Sequence, residues 1–171
     1  MPDKFERAFE IVVGHEGGMS LDPADRGNWA GGAPGQGELK GTKFGVSAKA
    51  YPGLDIAGLT LEQARAIYLR DYWAPCRCGE MPWAPALVTF DSAINSGVRF
   101  ASILLQRAVG AAPDGAIGPR TLASLAARDP HQVAAEMLAQ RAYQMTAMPT
   151  WGTHGLGWIR RITRLGLQAA A

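Results

Sequence analysis

The sequence predicts a mainly α-helical fold with about six to seven helices. Apolar residues recur at helical spacing in several separate segments, and several of these segments begin at a capping residue or at a proline suited to a first helical turn. Glycine, in contrast, is concentrated between residues 17 and 59, where helical periodicity is weak. We therefore expect a helical protein with one long irregular segment near its N-terminus.

The first helix is predicted over residues 3–16. Asp3 and Glu6 have the spacing of a capping box, and the apolar residues from Phe5 to Val13 share one helical face. This helix would place Glu16 at its C-terminal end, immediately before two glycines. The negative pole of the helix dipole lies there, so ionisation of the Glu16 carboxyl group would be slightly disfavoured.

Six further helices are predicted from the same features. Thr60 with Gln63 forms a second capping box, and Asp129 followed by Pro130 is a strong helix start. The predicted ranges are 60–73, 85 or 86 to 97, 100–109, a helix from Pro119, 130–148 and 157–167. Residues 151–157 are predicted to be a glycine-rich connector, and residues 169–171 to be frayed.

Composition excludes several classes of protein. The 171 residues fit one domain, and no apolar run approaches the length of a bilayer span. A net charge of +2 is too small to suggest nucleic-acid binding. The N-terminal residues mix both charge signs and precede no long apolar stretch. Synthesis in the cytoplasm without a signal peptide is therefore expected.

The two cysteines, Cys76 and Cys78, are separated by one residue. A disulfide across so short a span would be strained, and the three histidines do not supply an obvious set of further zinc ligands. Two reduced thiols are predicted, and neither a metal nor a cofactor is expected.

A pair of carboxylates suggests chemistry in the glycine-rich part of the chain. Glu16 and Asp25 are nine residues apart, and Thr42 follows in the same irregular segment. Cleavage of a glycosidic bond needs one acid to protonate the leaving oxygen and a second group that holds a water or stabilises positive charge. Alternatively, Glu16 is a helix-terminal surface charge and Asp25 a turn former.

The sequence motifs around these residues resemble those of a known family. Glu16, Asp25 and Thr42, with Gly45 beyond them, resemble the constellation of phage-type lysozymes. Glu-Gly-Gly, Asp-x-Gly and Thr-Lys-Phe-Gly-Val-Ser resemble glycoside hydrolase family 108, the secretion-activating-protein lysozymes. The resemblance implies a lysozyme-like α+β fold with a small β element near residues 20–47, in which residues 42–46 provide a brief strand.

One insertion departs from the family pattern. Residues 28–40 intervene between the Asp-x-Gly turn and Thr42, whereas in the family the turn runs almost directly into the threonine. Asp22 and Glu38 therefore stay open as alternatives to Asp25.

The resemblance extends into the C-terminal half, where residues 90–97, 105–110 and 114–121 are similar to the family's peptidoglycan-binding segment. We expect one domain over residues 1–171, with a catalytic part at 1–84 and a helical part at 85–171. Candidate substrate-binding residues are Trp29, Tyr72, Asn95 and Trp158, although aromatic residues at such spacing often belong to the core.

The function that the resemblance implies is that of an N-acetylmuramidase. Glu16 would be the general acid, and Asp25 with Thr42 would orient the water or stabilise positive charge at the anomeric carbon. A lytic transglycosylase and a non-catalytic wall-binding or secretion-accessory module are the alternatives. The expected partner is peptidoglycan, reached after release or export, and the chain is expected to be a monomer.

Overall fold

The computed structural model describes residues 3–14 and 18–171. Within these residues the chain forms seven α-helices and one small antiparallel sheet. The elements are α1 (Lys4–Val12), β1 (Thr42–Lys43), β2 (Val46–Ser47), α2 (Leu61–Tyr68), α3 (Trp83–Ser96), α4 (Val98–Ala108), α5 (Pro119–Ala126), α6 (Pro130–Thr146) and α7 (Trp151–Ala170). The predicted fold class, mainly α with a small β element between residues 20 and 47, is confirmed. The chain divides into two compact units, one over Phe9–Leu69 and one over Asp3–Ala8 with Arg70–Ala171.

The first helix is shorter than predicted. α1 ends at Val12, and the amides of Val13 and Gly14 both donate to the carbonyl oxygen of Phe9, at 2.9 and 3.2 Å. Gly14 has a φ of +75°, a left-handed conformation that glycine adopts without a steric penalty. The glycine therefore stops the helix before the predicted end at residue 16. Glu16 itself lies outside the described residues.

In the unit over Phe9–Leu69, β1 and β2 form a hairpin with a two-residue turn. The prediction was a single brief strand over residues 42–46. Thr42 pairs with Ser47, and Lys43 pairs with Val46. Phe44 and Gly45 connect them with φ values of +50° and +74°, which is the geometry that matches the twist of a tight hairpin. The Tyr68 hydroxyl donates to the carbonyl oxygen of Phe44 at 3.1 Å and holds this turn against α2.

The helix predicted over residues 60–73 is confirmed as helical, with a change in its last turns. Thr60 and Gln63 form the predicted capping box at the start of α2. From Leu69 to Trp73 the backbone continues as a π-helical turn. π-helical segments are rare and usually occur as single-turn insertions of this kind.

The unit that contains Arg70–Ala171 is built around α3. This helix is buried from Ala84 to Ala93 and packs against α4, α6 and α7. Phe5, Trp73 and Phe90 meet edge to face, with ring centroids 5.3–5.9 Å apart. Such aromatic pairs add to the stabilisation that burial alone provides.

The last helix corrects two predictions. α7 begins at Trp151, so the predicted connector over residues 151–157 is wrong. Gly155 is buried, and a Cβ atom there would lie only 2.7 Å from the Trp151 ring, so its glycine serves close packing within a helix. The predicted fraying at residue 169 is also wrong, since Ala169 is buried and Trp83 Nε1 donates to the carbonyl oxygen of Gln168 at 3.0 Å.

Candidate active site

Asp25 lies at a tight turn in the unit over Phe9–Leu69. It caps a short 3-10 helix over Arg26–Asn28, and its Oδ1 accepts a hydrogen bond from the Gly27 amide at 2.8 Å. The side chain is exposed. The local role foreseen for an Asp in a turn is therefore real, and it holds the carboxylate in one orientation on the surface of this unit.

Asn28 connects this turn to Thr42. It is completely buried, and its Nδ2 donates to the carbonyl oxygen of Asp22 at 3.0 Å and to Ser20 Oγ at 3.3 Å. Its Oδ1 accepts a hydrogen bond from Thr42 Oγ1 at 2.7 Å. One amide thus brings together segments that lie 14 residues apart in the sequence.

The orientation of the Asn28 amide determines what Thr42 offers to a ligand. A backbone carbonyl can only accept, so the atom facing the Asp22 carbonyl must be Nδ2, and the atom facing Thr42 must be Oδ1. The Thr42 hydroxyl hydrogen is consequently committed to Asn28. The lone pairs of Thr42 Oγ1 remain available to accept a hydrogen bond.

The insertion over residues 28–40 does not separate the turn from Thr42. Trp29 pairs with Leu39, and the Ala30 amide donates to the carbonyl oxygen of Glu38 at 2.9 Å. The amides of Lys40 and Gly41 both donate to the carbonyl oxygen of Asn28 at 3.0 Å. The insertion therefore leaves and returns at one residue. Asn28 also contacts both candidates, because its main-chain amide donates to the carbonyl oxygen of Asp25 at 3.2 Å and its Oδ1 accepts from Thr42.

The two alternative carboxylates differ in position. Asp22 belongs to the same turn region as Asp25, and its Oδ1 accepts from the Ala24 amide at 2.9 Å. Glu38 lies on the returning arm of the insertion, where its exposed carboxylate is 3.7 Å from Lys40 Nζ. Of the two residues, Asp22 takes part in the Asn28 hydrogen-bond network, through its main-chain oxygen.

The candidate tryptophan of the insertion has a structural contact. Trp29 is half-buried, and its Nε1 donates to the carbonyl oxygen of Pro23 at 2.9 Å. The indole therefore braces the segment between Asp22 and Asp25. Tyr72, another candidate, is half-buried in the π-helical turn of the other unit.

Asn95 and Trp158, the remaining candidates, line one pocket of about 470 Å³ in the unit that contains Arg70–Ala171. We call this the α3–α7 pocket, because α3, α4, α6 and α7 contribute its walls. Arg141 and Arg161 also line it. The spacing of these residues in the sequence does not indicate that they meet, since they come from three separate helices.

A buried carboxylate holds the two arginines of the α3–α7 pocket. Asp91 is 1% exposed; its Oδ2 pairs with Arg141 Nη1, and its Oδ1 accepts from Arg161 Nη2 at 2.6 Å. A carboxylate in such a position is tolerated only when it is paired. The Asp91 group thus joins α3, α6 and α7 beneath the pocket.

Part of the C-terminal motif forms a clamp in the same unit. The buried Gln106 side chain donates to Asp114 Oδ1 at 2.7 Å and to the carbonyl oxygen of Ala116 at 3.0 Å, and it accepts from the Gly115 amide at 2.9 Å. Hydrogen bonds from the Ala116 amide and then from Gln106 lower the pKa of Asp114. The clamp fixes the loop that leads into α5.

The two cysteines are free thiols, and both are buried. A hydrogen bond with Cys78 lowers the pKa of Cys76, whereas burial raises the pKa of Cys78. Within residues 3–14 and 18–171, no group of three or more His, Cys, Asp or Glu side chains is placed to hold a metal ion. Among the helices of these ranges, none has the length and hydropathy of a membrane span.

Comparison with known proteins places this geometry in a family. The family model for glycosyl hydrolase 108 matches residues 9–97. The solved structure of Brucella abortus SagA is similar to this chain with a TM-score of 0.81 and 29% sequence identity, over 97% of this chain and 93% of that one. Among curated proteins, none matches. Because the family match covers more than half of the sequence and includes the Asp25 turn, the hairpin and α2, the chain belongs to glycosyl hydrolase family 108 and is a glycoside hydrolase.

Proposed function

We propose that the protein is an N-acetylmuramidase that hydrolyses the β-1,4 bond between N-acetylmuramic acid and N-acetylglucosamine in peptidoglycan. The observation that carries this proposal is the Asn28 network inside the family match. The main-chain amide of Asn28 donates to the carbonyl oxygen of Asp25 at 3.2 Å, and its side-chain Oδ1 accepts from Thr42 Oγ1 at 2.7 Å. A carboxylate and a hydroxyl oxygen are residue types that can hold and orient a water molecule, which supports hydrolysis as the reaction.

In the proposed reaction, Glu16 donates its proton to the glycosidic oxygen while the bond from that oxygen to the anomeric carbon breaks. A water held by Asp25 and Thr42 adds to the anomeric carbon, and the proton that it loses passes to Asp25. Thr42 suits this task because its own hydrogen is used by Asn28 and its oxygen can only accept from the water. The products are two shorter glycans, one ending in a reducing muramic acid.

The proposal is tested by digesting purified peptidoglycan with the wild-type protein and with Glu16→Gln. Released fragments are identified by mass spectrometry before and after borohydride reduction. Glu16→Gln keeps the shape of the side chain and removes the acidic proton, so it is expected to release no fragments while its circular dichroism and melting temperature stay those of the wild type. Reducible muramic acid ends made only by the wild type are the expected result.

Other outcomes would reject specific parts of the proposal. Anhydro ends would identify a lytic transglycosylase, in which the sugar's own hydroxyl replaces the water. Lysis by Glu16→Gln near the wild-type rate would exclude Glu16 as the acid. A wild-type protein that binds peptidoglycan and releases no fragment would favour a wall-binding module.

A further inference from the structure

The α3–α7 pocket carries an excess of positive charge. Arg141 and Arg161 share one carboxylate, that of Asp91, so the three side chains together have a net charge of +1. None of the described residues that line the pocket is acidic. The pocket is therefore electrostatically suited to a single negative charge.

Donors remain on both arginines after Asp91 is satisfied. Arg141 is 2% exposed, and its buried Nε has no hydrogen-bond partner within the described residues. Arg161 uses Nε and Nη2 to bind Asp91 and keeps Nη1 for another acceptor, with 43% of its side chain exposed. Buried donors without a partner are uncommon in folded proteins. An arginine whose position is already fixed by a carboxylate loses little freedom when it binds a second acceptor.

The other walls indicate what kind of molecule would carry the negative charge. Phe100, Met145 and Trp158 supply apolar surface, while Asn95 and Gln144 supply side-chain amides. A volume of about 470 Å³ lies within the range of ordinary small-ligand sites, about 300–1,000 Å³. Apolar surface, amides and one excess positive charge together match a short peptide that ends in a carboxylate.

We propose that the α3–α7 pocket binds a free carboxylate of a short peptide, namely the peptide stem that branches from muramic acid in peptidoglycan. The assignment to that source rests on the proposed function. The carboxylate would accept a hydrogen bond from Arg161 Nη1, and the carbon skeleton would lie against Trp158. The pocket would then recognise the peptide part of the polymer whose glycan part is cleaved.

Binding is measured by isothermal titration calorimetry on the full chain, with the synthetic stem peptide L-alanyl-γ-D-glutamyl-L-lysyl-D-alanine. The matched ligand is the same peptide with its carboxyl groups amidated. Saturable binding of the free peptide is expected, with affinity about tenfold or more higher than that of the amidated peptide, since charge-assisted hydrogen bonds are the strong ones. In nitrogen-15 NMR spectra, the indole signal of Trp158 should shift only with the free peptide.

Three variants separate the pocket from general surface charge. Arg161→Gln should weaken binding about tenfold or more, and Asp91 keeps Arg141 as a partner in this variant. Arg160→Gln removes the neighbouring exposed charge and should bind like the wild type. Ser96→Asp adds a negative charge at the exposed pocket wall without touching the Asp91 group, and should also weaken binding.

Several results would overturn the inference. These are equal affinity for the free and amidated peptides, wild-type binding by both Arg161→Gln and Ser96→Asp, or no saturable binding. The proposed function fails separately: Glu16→Gln should bind the stem peptide normally although it cleaves nothing. A protein that binds the peptide but never cleaves peptidoglycan would leave the pocket assignment in place, and one that cleaves without binding the peptide would remove it alone.

Discussion

Replacing Asn28 by alanine would test whether one buried amide holds the candidate site together. The change removes three side-chain hydrogen bonds, of 2.7, 3.0 and 3.3 Å. The Ser20 hydroxyl and the main-chain oxygen of Asp22 belong to exposed residues and can be hydrated in the variant, so these two bonds contribute about 0.5–1 kcal/mol each. Thr42 is half-buried, and its loss of a partner costs about 1 kcal/mol. The free energy of unfolding is thus expected to fall by about 2–3 kcal/mol.

The assay is urea unfolding followed by far-ultraviolet circular dichroism. With a denaturant slope of about 2 kcal/mol/M, the midpoint should fall by about 1–1.5 M. Thr42→Val keeps the shape of the side chain and removes the hydroxyl, and should cost about 1–2 kcal/mol because Asn28 Oδ1 is left buried and unpaired. Thr42→Ser keeps the hydroxyl and serves as the control.

The double variant Asn28→Ala with Thr42→Val completes a thermodynamic cycle. Since the two side chains share a hydrogen bond, the losses of unfolding free energy in the two single variants should add up to about 1 kcal/mol more than the loss in the double variant. Strict additivity, or an Asn28→Ala midpoint equal to that of the wild type, would refute the reasoning. Under conditions where it is folded, Asn28→Ala should also hydrolyse peptidoglycan at least about tenfold more slowly, because Thr42 regains the freedom to donate its hydrogen.

Two further predictions concern carboxylates. Asp25→Asn should slow clearing of a cell-wall suspension by about 100-fold or more, whereas Asp22→Asn should slow it by less than about threefold. Both variants should fold, because asparagine can accept the same turn hydrogen bond at each position. A larger loss of activity in Asp22→Asn would show that Asp22, and not Asp25, holds the water. Asp114 has a lowered pKa in the folded protein, so its contribution to stability is present above its unfolded pKa of about 3.9 and is lost as the pH falls through the lower folded value. Urea midpoints from pH 6 to pH 2 should therefore show a wild-type advantage over Asp114→Asn that shrinks below about pH 4, and a constant difference would contradict this linkage.

Local chemistry made most helix starts predictable. Helix α2 begins at the capping box that Thr60 and Gln63 form, and α6 begins after its N-cap, Asp129, as the sequence predicts. The helix over residues 151–157 was missed because glycine disfavours helix locally. Aromatic contacts at helical spacing compensate for this preference. The ring centroid of Trp158 lies 6.3 Å from that of Trp151 and 5.9 Å from that of His154, with the ring planes tilted.

The site was predictable only where residue type alone indicates chemistry. The motif shared with the family identifies Asp25 and Thr42 as candidates. It does not identify Asn28, because a single asparagine in a glycine-rich segment resembles any turn residue. Its importance arises from burial and from three partners that only the folded chain brings near. The grouping of Asn95, Trp158 and Arg161 likewise depends on helix packing that sequence periodicity does not specify.

The hydrogen bonds that join the two ends of the insertion over residues 28–40 also determine which changes of its length the fold can tolerate. Its two ends meet at the carbonyl oxygen of Asn28, so residues added or removed at its tip need not alter the spacing of the residues outside it. Lengthening a loop whose ends are already joined costs little, because closure entropy grows only slowly with length. A short peptide tag inserted between Gly35 and Gln36, both exposed, should be carried without loss of folding. The tip of the insertion is thus a position at which residues can be added without changing the surroundings of Asp25 and Thr42.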